Sequence, residues 1–496
     1  MTGKGSCPES VISLISSFPR HTNKALQLAH PKGSHLGAEM SIGMMLGATS
    51  SIPAKGWNSW DAYKQNLNES TALAIAANMK RLLLPHGYDT LVIDGGWSDA
   101  YNHDVCPPGP PCIDANGRMV PNVVKWPSSA GGKGLKPFID KVHAMGLKVG
   151  MHTLQSTLSK AALAAKSPVL GGGGKTVNDI VGKVCSWQKW GYGVQMSLPA
   201  SQLWLDSVYA QYSAWGLDLI KNDCVFAINW IDGDGGEELI KGAKSAIAKT
   251  EHCEDGHCIY SLSPGQTATI EMGRNISRTA DMYRITGDWH DCNDGRWGAR
   301  CGNLSKHFSQ AHAFESIIGS PSFPDLDILS PYNSVADPLD LAFRFQMTFW
   351  CICRSPLFIG RDLADPTLTA VDLALLTNVD VLAVNERSKN NRQISRKGDD
   401  LIVWAADVPA ASDRGESASQ SRYVALFNHG KVSSVVSVTL EELNLLHDGE
   451  SCIVKNLWTG EAEPTMLKGN VLGLTLDAVT GNWLGLLQCT PTKNIF

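Results

Sequence analysis

From about residue 56 onward, short apolar runs of β-like composition alternate with longer stretches whose apolar positions recur at helical spacing. The strand-like runs fall at 56–59, 88–94, 147–154, 217–223, 258–264, 283–288, 322–328 and 355–360. Between them, the stretch 70–85 places Leu73, Ala76, Ala77, Met79, Leu82 and Leu83 near helical spacing, and a Pro-Ala-Ser start introduces another helix over 201–215. Eight such β/α units in about 320 residues predict an α/β fold, a (β/α)8 TIM barrel with long loops. After about residue 390 the texture changes. Strand-like runs at 401–405, 422–427, 432–440, 452–456 and 471–476 have little helix between them, which predicts an antiparallel C-terminal β-domain. The expected organisation is a leader or extension at 1–54, a barrel at 55–388 and a C-terminal β-sandwich at 389–496.

Composition narrows the partners. The 496 residues carry 43 Lys plus Arg against 48 Asp plus Glu, so there is no basic field to attract nucleic acid. No uninterrupted apolar stretch reaches the ~18 residues of a membrane span. Thirteen Cys is high for a reducing compartment, and several pairs frame short loops: Cys106 with Cys112, Cys253 with Cys258 and Cys292 with Cys301. An oxidising location, secreted or vacuolar/lysosomal in type, is therefore expected, with at least one thiol left over from the odd count. Sequons at Asn68, Asn275 and Asn303 agree with that. The first 50 residues give no clear targeting signal, because the apolar run at 11–18 is short and broken by serine and the one at 40–54 lies deep in the chain.

The candidate chemistry lies at the strand ends. Asp94 ends the second run, Asp223 the fourth and Asp288 the sixth, and Asp327 lies in the seventh, so all four should meet at the C-terminal face, where such barrels place catalysis. Each alone also reads as a cap for the helix that follows. Lys221 and Asp223 are two apart on a strand, so their side chains point the same way, and the ammonium favours the ionised carboxylate that a covalent nucleophile must be. In YRITGDW at 283–289, Asp288 is followed by aromatic surface that would raise its pKa toward that of a general acid, with Asp291 and Asp294 as rivals. Two carboxyls facing one pocket, tryptophan nearby and no cofactor signature form the arrangement that glycoside hydrolysis requires. The 15 Trp, against 12 Phe and 10 Tyr, suit sugar faces as well as cores.

At this point several motifs carry a resemblance. GWNSWDAY at 56–63, VIDGGW at 92–97, LIKNDCVF at 219–226, YSLSPG at 260–265, YRITGDW at 283–289 and FPDLDIL at 323–329 resemble, in this order, glycoside hydrolase family 27, the melibiase family. KWPSSAGGKGL at 125–135 and KVHAMGLKVGMH at 141–152 are similar to its plant branch of β-L-arabinopyranosidases that also have α-galactosidase activity. The resemblance implies a retaining exo-glycosidase that removes terminal α-D-galactosyl or β-L-arabinopyranosyl residues from a carbohydrate, with no cofactor and no metal. By position it implies Asp223 as nucleophile and Asp288 as acid/base, their carboxyls about 5–5.5 Å apart. It further implies Lys221 and Arg284 as holders of sugar hydroxyls, Asp94, Ser263 and Asp327 as subsite residues and Trp60 as an aromatic platform. A Cys185–Cys224 disulfide beside the nucleophile strand is also implied.

Departures from the family bear on the substrate. Its typical α-galactosidases carry two adjacent aspartates where this chain has Asp94 and Gly95, often Glu where it has Ser263, and Tyr where it has His152, although the plant branch resembles this chain at the last two. β-L-Arabinopyranose presents the ring hydroxyls of α-D-galactose without the exocyclic CH2OH, so a lost contact near that group leaves both sugars as expected substrates. A transglycosylase would use the same glycosyl-enzyme intermediate, and a binding-only barrel would have replaced a catalytic aspartate, whereas Asp223 and Asp288 are both present. GGGGKT at 171–176 is not a phosphate loop, since Val169 stands where its first glycine belongs. HCEDGHC at 252–258 holds metal-binding residue types but precedes the fifth strand, opposite the site, and reads as a small disulfide loop.

Overall fold

Short runs rich in apolar residues become parallel strands when both of their faces are covered, one by the barrel interior and one by a helix. The computed structural model describes residues 52–101, 106–154, 157–186, 188, 191–225, 236–289, 304–319, 321–330, 341–365, 368–409, 420–445 and 450–491. It contains eight such strands: β1 (Lys55–Asn58), β2 (Thr90–Ile93), β3 (Lys148–Leu154), β4 (Leu219–Asp223), β5 (Ile259–Ser263), β6 (Met282–Arg284), β7 (Phe323–Asp325) and β8 (Leu357–Ile359). They lie side by side in sequence order, and β8 returns to pair with β1. Beyond β7, Leu329 bridges Ile359 in parallel, donating its N–H to the Phe358 carbonyl at 2.7 Å and accepting from the Gly360 N–H at 2.7 Å, which closes the ring. Each of the eight expected runs is a barrel strand. Seven are shorter than their runs: β2 stops at Ile93, β6 at Arg284 and β7 at Asp325, so Asp94, Asp288 and Asp327 sit beyond the ladder.

Helices begin and end where local chemistry dictates. In α1 (Glu69–Leu82), Asn68 accepts the Thr71 N–H at 3.1 Å, and Ala72, Ile75, Ala76 and Met79 recur on the buried face. The helix gives way to a tighter turn at Leu84–His86, which contains Pro85, short of the expected end. After α2 (Lys136–His143), α3 (Pro199–Trp215) starts on a proline and stops at Gly216, whose φ of 90° only glycine adopts cheaply. Between β3 and α3 a small antiparallel sheet of residues 158–159, 181–184 and 191–194 appears that the apolar pattern does not announce.

The C-terminal strands are β9 (Lys389–Lys397), β10 (Leu401–Asp407), β11 (Gln420–Asn428), β12 (Ser434–Thr439), β13 (Glu450–Asn456), β14 (Val471–Leu476) and β15 (Gly481–Pro491). Five form one antiparallel sheet in the order β9-β10-β11-β15-β13, and β14 pairs with β12 on one side and with the two-residue strand Leu467–Lys468 on the other in a second sheet. Strands β9 and β15 are absent from the sequence expectation. Strand β9 is a polar edge, KNNRQISRK, and β15 starts on Gly481 and is interrupted by Gly485, so neither shows an unbroken apolar run. Alternation along β10 and β11 buries both faces of the larger sheet. Val403, Ala405, Val424 and Leu426 meet Val436, Val438 and Leu472 of the smaller sheet, while Phe427 packs on Phe308 (5.1 Å between ring centres) and on Phe345 (5.1 Å) of the barrel helix α4 (Leu341–Ile352).

Candidate active site

The C-terminal ends of the strands surround an open pocket of about 510 Å³. Trp60, Asp94, Lys221, Asp223, Ser263, Arg284, Asp288 and Asp327 all line it, so the sequence-derived candidates converge on one place. Lys221 and Asp223 project inward because they alternate with Asn222, which points outward and accepts hydrogen bonds from Tyr209 (2.9 Å) and Tyr260 (2.8 Å). Those two phenols hold β4 in place behind the pocket.

One charged network runs along the floor from β2 to β4. The Lys221 ammonium donates to Asp94 Oδ2 at 2.9 Å, and Asn58 on β1 donates to the same oxygen at 3.0 Å. The direct partner of Lys221 is thus Asp94, while Asp223 feels its charge. Asp223 accepts the Cys224 N–H at 2.7 Å on one oxygen and has His152 Nε2 at 3.2 Å from the other. Burial works to raise the pKa of Asp223, but the His152 hydrogen bond and charge, with Lys221 and Arg284, outweigh it and hold the carboxyl below its ordinary value. Asp94 is likewise buried and is held well below the carboxylate range by Lys221, His152, Asn58 and the Gly95 N–H. Burial disfavours the Lys221 ammonium, yet Asp94 and Asp223 more than compensate and push its pKa up. Cys224 has a φ of 56° and forms a disulfide with Cys185, so the residue after Asp223 is fixed in a conformation that costs energy outside glycine.

A second network lies across the pocket. Arg284 donates to Asp288 at 2.5 Å, to Asp327 at 3.3 Å and to the Thr286 carbonyl at 3.0 Å. Asp327, at a φ of 95°, also accepts the Trp289 N–H at 2.7 Å, and its carbonyl accepts the Trp350 indole N–H at 2.8 Å. Beneath it, burial and the Asp327 charge push Asp325 up to about 6. The aromatic surface expected beside Asp288 is not supplied by Trp289. That ring turns into the core against Trp350, 4.9 Å away, because Asp327 fixes its backbone there, and Asp288 faces a guanidinium instead.

Several lining residues escaped the sequence reading. His152, noted only as a departure, links the two acids of the first network, and Gln65, Gln188, Gln266 and Thr267 add polar surface. His152 lies toward the C-terminal end of the predicted run 147–154, the same end of the barrel as Asp94, which was the available signal. The Cys106–Cys112 disulfide is present, as its spacing suggested, and none of the residues in its loop lines the pocket. Cys452 and Cys489 form a disulfide between β13 and β15 that spacing alone did not suggest. Asp291, Asp294, Cys292 and Cys301 lie outside the described residues.

Comparison with known proteins agrees with this geometry. Residues 174–387 match the family model described as alpha galactosidase A, and residues 398–478 match the alpha galactosidase C-terminal beta sandwich domain. An alpha-galactosidase 2 of Arabidopsis thaliana is 23% identical over 409 residues, 82% of this chain and 82% of that protein. The wild-type family 27 β-L-arabinopyranosidase of Geobacillus stearothermophilus superposes with a TM-score of 0.76 at 29% identity, over 92% of this chain and 100% of its own. A variant of that enzyme in complex with arabinose gives 0.75 at 30% identity, over 90% and 99%. At that identity over nearly the whole length of both proteins, on a closed barrel with paired acids in its mouth, the chain belongs to glycoside hydrolase family 27 and is a glycosyl hydrolase.

Proposed function

We propose that this enzyme removes terminal β-L-arabinopyranosyl and α-D-galactosyl residues with retention, by double displacement. The observation that carries the reading is that Asp223, kept ionised, and Asp288 line one pocket from separate networks. The Asp223 carboxylate attacks the anomeric carbon while Asp288 gives its proton to the departing glycosidic oxygen, leaving a glycosyl ester on Asp223. Asp288, now a carboxylate, takes a proton from water as that water attacks the ester, which restores both acids and the original anomeric configuration. Lys221 with Asp94 and Arg284 with Asp327 present fixed donors and acceptors to ring hydroxyls, and Trp60 offers an apolar face. Proton NMR of the first-formed sugar should show the substrate's own configuration, and an inverted product overturns the mechanism. The four disulfides among the described residues support an oxidising, secretory or vacuolar-type location.

Support for the sugar preference comes from Gly95, which follows Asp94 at the pocket wall. A Cβ built there would lie 3.6 Å from the Trp60 ring, an ordinary contact, so a side chain fits and its absence leaves space. The ratio of kcat/KM for β-L-arabinopyranoside to that for α-D-galactoside is expected to show both sugars reacting, and Gly95→Asp should shift it toward galactose. A missing hydrogen bond is worth about 0.5–1.5 kcal/mol, so the change is a preference and not a switch. A wild-type preference for galactose above about a hundredfold, roughly 2.7 kcal/mol, would sink this reading, as would a folded, active Gly95→Asp variant with an unchanged ratio.

The His152 contact gives a pH test. Asp223 must be ionised to attack, and losing the imidazole raises its pKa, so His152→Leu should lose activity at higher pH than the wild type as the solution is acidified. An acidic limb of kcat/KM that stays in place or moves down would show that His152 does not set this ionisation.

A further inference from the structure

The opposite mouth of the barrel gathers three histidines around one buried acid. Asp218 stands immediately before β4, His143 ends α2, and before β5 His252 adjoins and His257 lies within the loop closed by the Cys253–Cys258 disulfide. Asp218 Oδ2 is fully engaged, accepting the Val149 N–H at 2.7 Å and lying 2.8 Å from His143 Nε2. Its other oxygen lies 3.1 Å from His252 Nε2 and 3.7 Å from His257 Nε2. We propose that His252, His257 and Asp218 Oδ1 form a binding site for Zn²⁺ or a transition-metal dication of similar ligand preference.

His257 is held between two carboxylates, Asp255 at one ring nitrogen and Asp218 near the other. Its Nδ1 is hydrogen bonded to the Asp255 carboxylate, which only accepts, so that nitrogen carries the ring proton. Its Nε2 lies 3.7 Å from the Asp218 oxygen, too far for a direct hydrogen bond and close to the spacing of two ligand atoms on one ion. A dication there replaces the proton that His252 Nε2 shares with Asp218, that ring keeping its proton on Nδ1 instead, and the Asp255–His257 bond is the carboxylate–histidine contact that orients metal-bound imidazoles. Ligand atoms held tetrahedrally at about 2.0–2.1 Å from zinc are roughly 3.3 Å apart, so the observed 3.1 and 3.7 Å need only small side-chain adjustments. The ligand atoms of His252, His257 and Cys258 all lie within 4.8 Å of one another, but the Cys258 sulfur is bonded to Cys253, which leaves the Asp218 carboxylate as the third ligand. The disulfide holds the two histidines together before the ion arrives, which reduces the entropy lost on binding. Both histidines are partly exposed, and His257 also borders a hollow of about 300 Å³ at this mouth, so solvent can enter and complete the coordination.

The test uses the untagged, full-length enzyme. Calorimetric titration with Zn²⁺ should show one equivalent bound at the site, and titration with Co²⁺ should give the intense visible bands of a four-coordinate centre. His252→Gln combined with His257→Gln should weaken binding at least about a hundredfold, and Asp255→Asn about tenfold. Circular dichroism and turnover on an aryl glycoside should be unchanged in these variants, because the site lies at the mouth opposite the pocket. Wild-type enzyme that takes up no equivalent at about 100 μM Zn²⁺, or a double variant that binds as tightly as wild type, overturns the proposal. So does NMR evidence that His257 is doubly protonated at neutral pH and is not displaced from that state by Zn²⁺.

Discussion

Asp223→Gly is expected to lower turnover of an activated aryl glycoside by about three orders of magnitude or more, since no other group on β4 can form the ester. The substitution leaves a gap facing two cations, Lys221 and Arg284, both of which act on the Asp223 charge in the intact site. A small anion should be drawn into that gap. Azide is therefore expected to restore part of the rate by attacking the anomeric carbon from the side that Asp223 occupied, giving a glycosyl azide of inverted configuration. If the variant kept more than about a tenth of wild-type turnover, the nucleophile would have to be sought elsewhere.

Asp288→Ala should divide substrates by their leaving groups. General acid catalysis contributes about 10²–10⁴-fold where the departing oxygen needs a proton, so cleavage of sugar aglycones should fall by that factor while nitrophenyl glycosides lose far less. The side chain is 43% exposed, enough for a leaving group to reach it from the open side of the pocket. Equal losses on both kinds of substrate would move the acid role away from Asp288. A larger leaving-group effect from Asp291→Ala would move it to that residue.

The strands of the barrel were legible because parallel strands buried on both faces leave short runs dense in apolar residues, whatever their partners. Their ends were less so. Ile285 is fully buried and extends the apolar pattern of β6, although its N–H donates to the Asp325 carbonyl outside the named strand, and this moved Asp288 off the strand end on which it had been placed. In the site, the shared direction of Lys221 and Asp223 followed from their spacing alone. The pairing of Lys221 with Asp94 did not, because it depends on the register between strands: His152 lies opposite Lys221 across β3 and β4, and Asp94 follows Ile93, the partner of Met151. Register is a long-range property that one sequence does not print. The direction of Trp289 failed for the same reason, being set by Asp327 thirty-eight residues away. The sheet strand β9 failed for another: an edge needs no apolar alternation, so it left none to read.

The larger C-terminal sheet, covered on both sides, has a consequence for attempts to cut the chain down. A truncation after residue 388 would strip Phe427 from Phe308, Phe345 and Phe349 and leave α4 with an open apolar scar. It would also sever the Trp458 indole bond to Thr348 and the Asn378 bond to the Leu457 carbonyl. What looks in the sequence like a detachable module is, at this seam, shared interior. A minimal catalyst made from this scaffold would have to be resurfaced along α4, with polar side chains written over the phenylalanines, before it could be shortened.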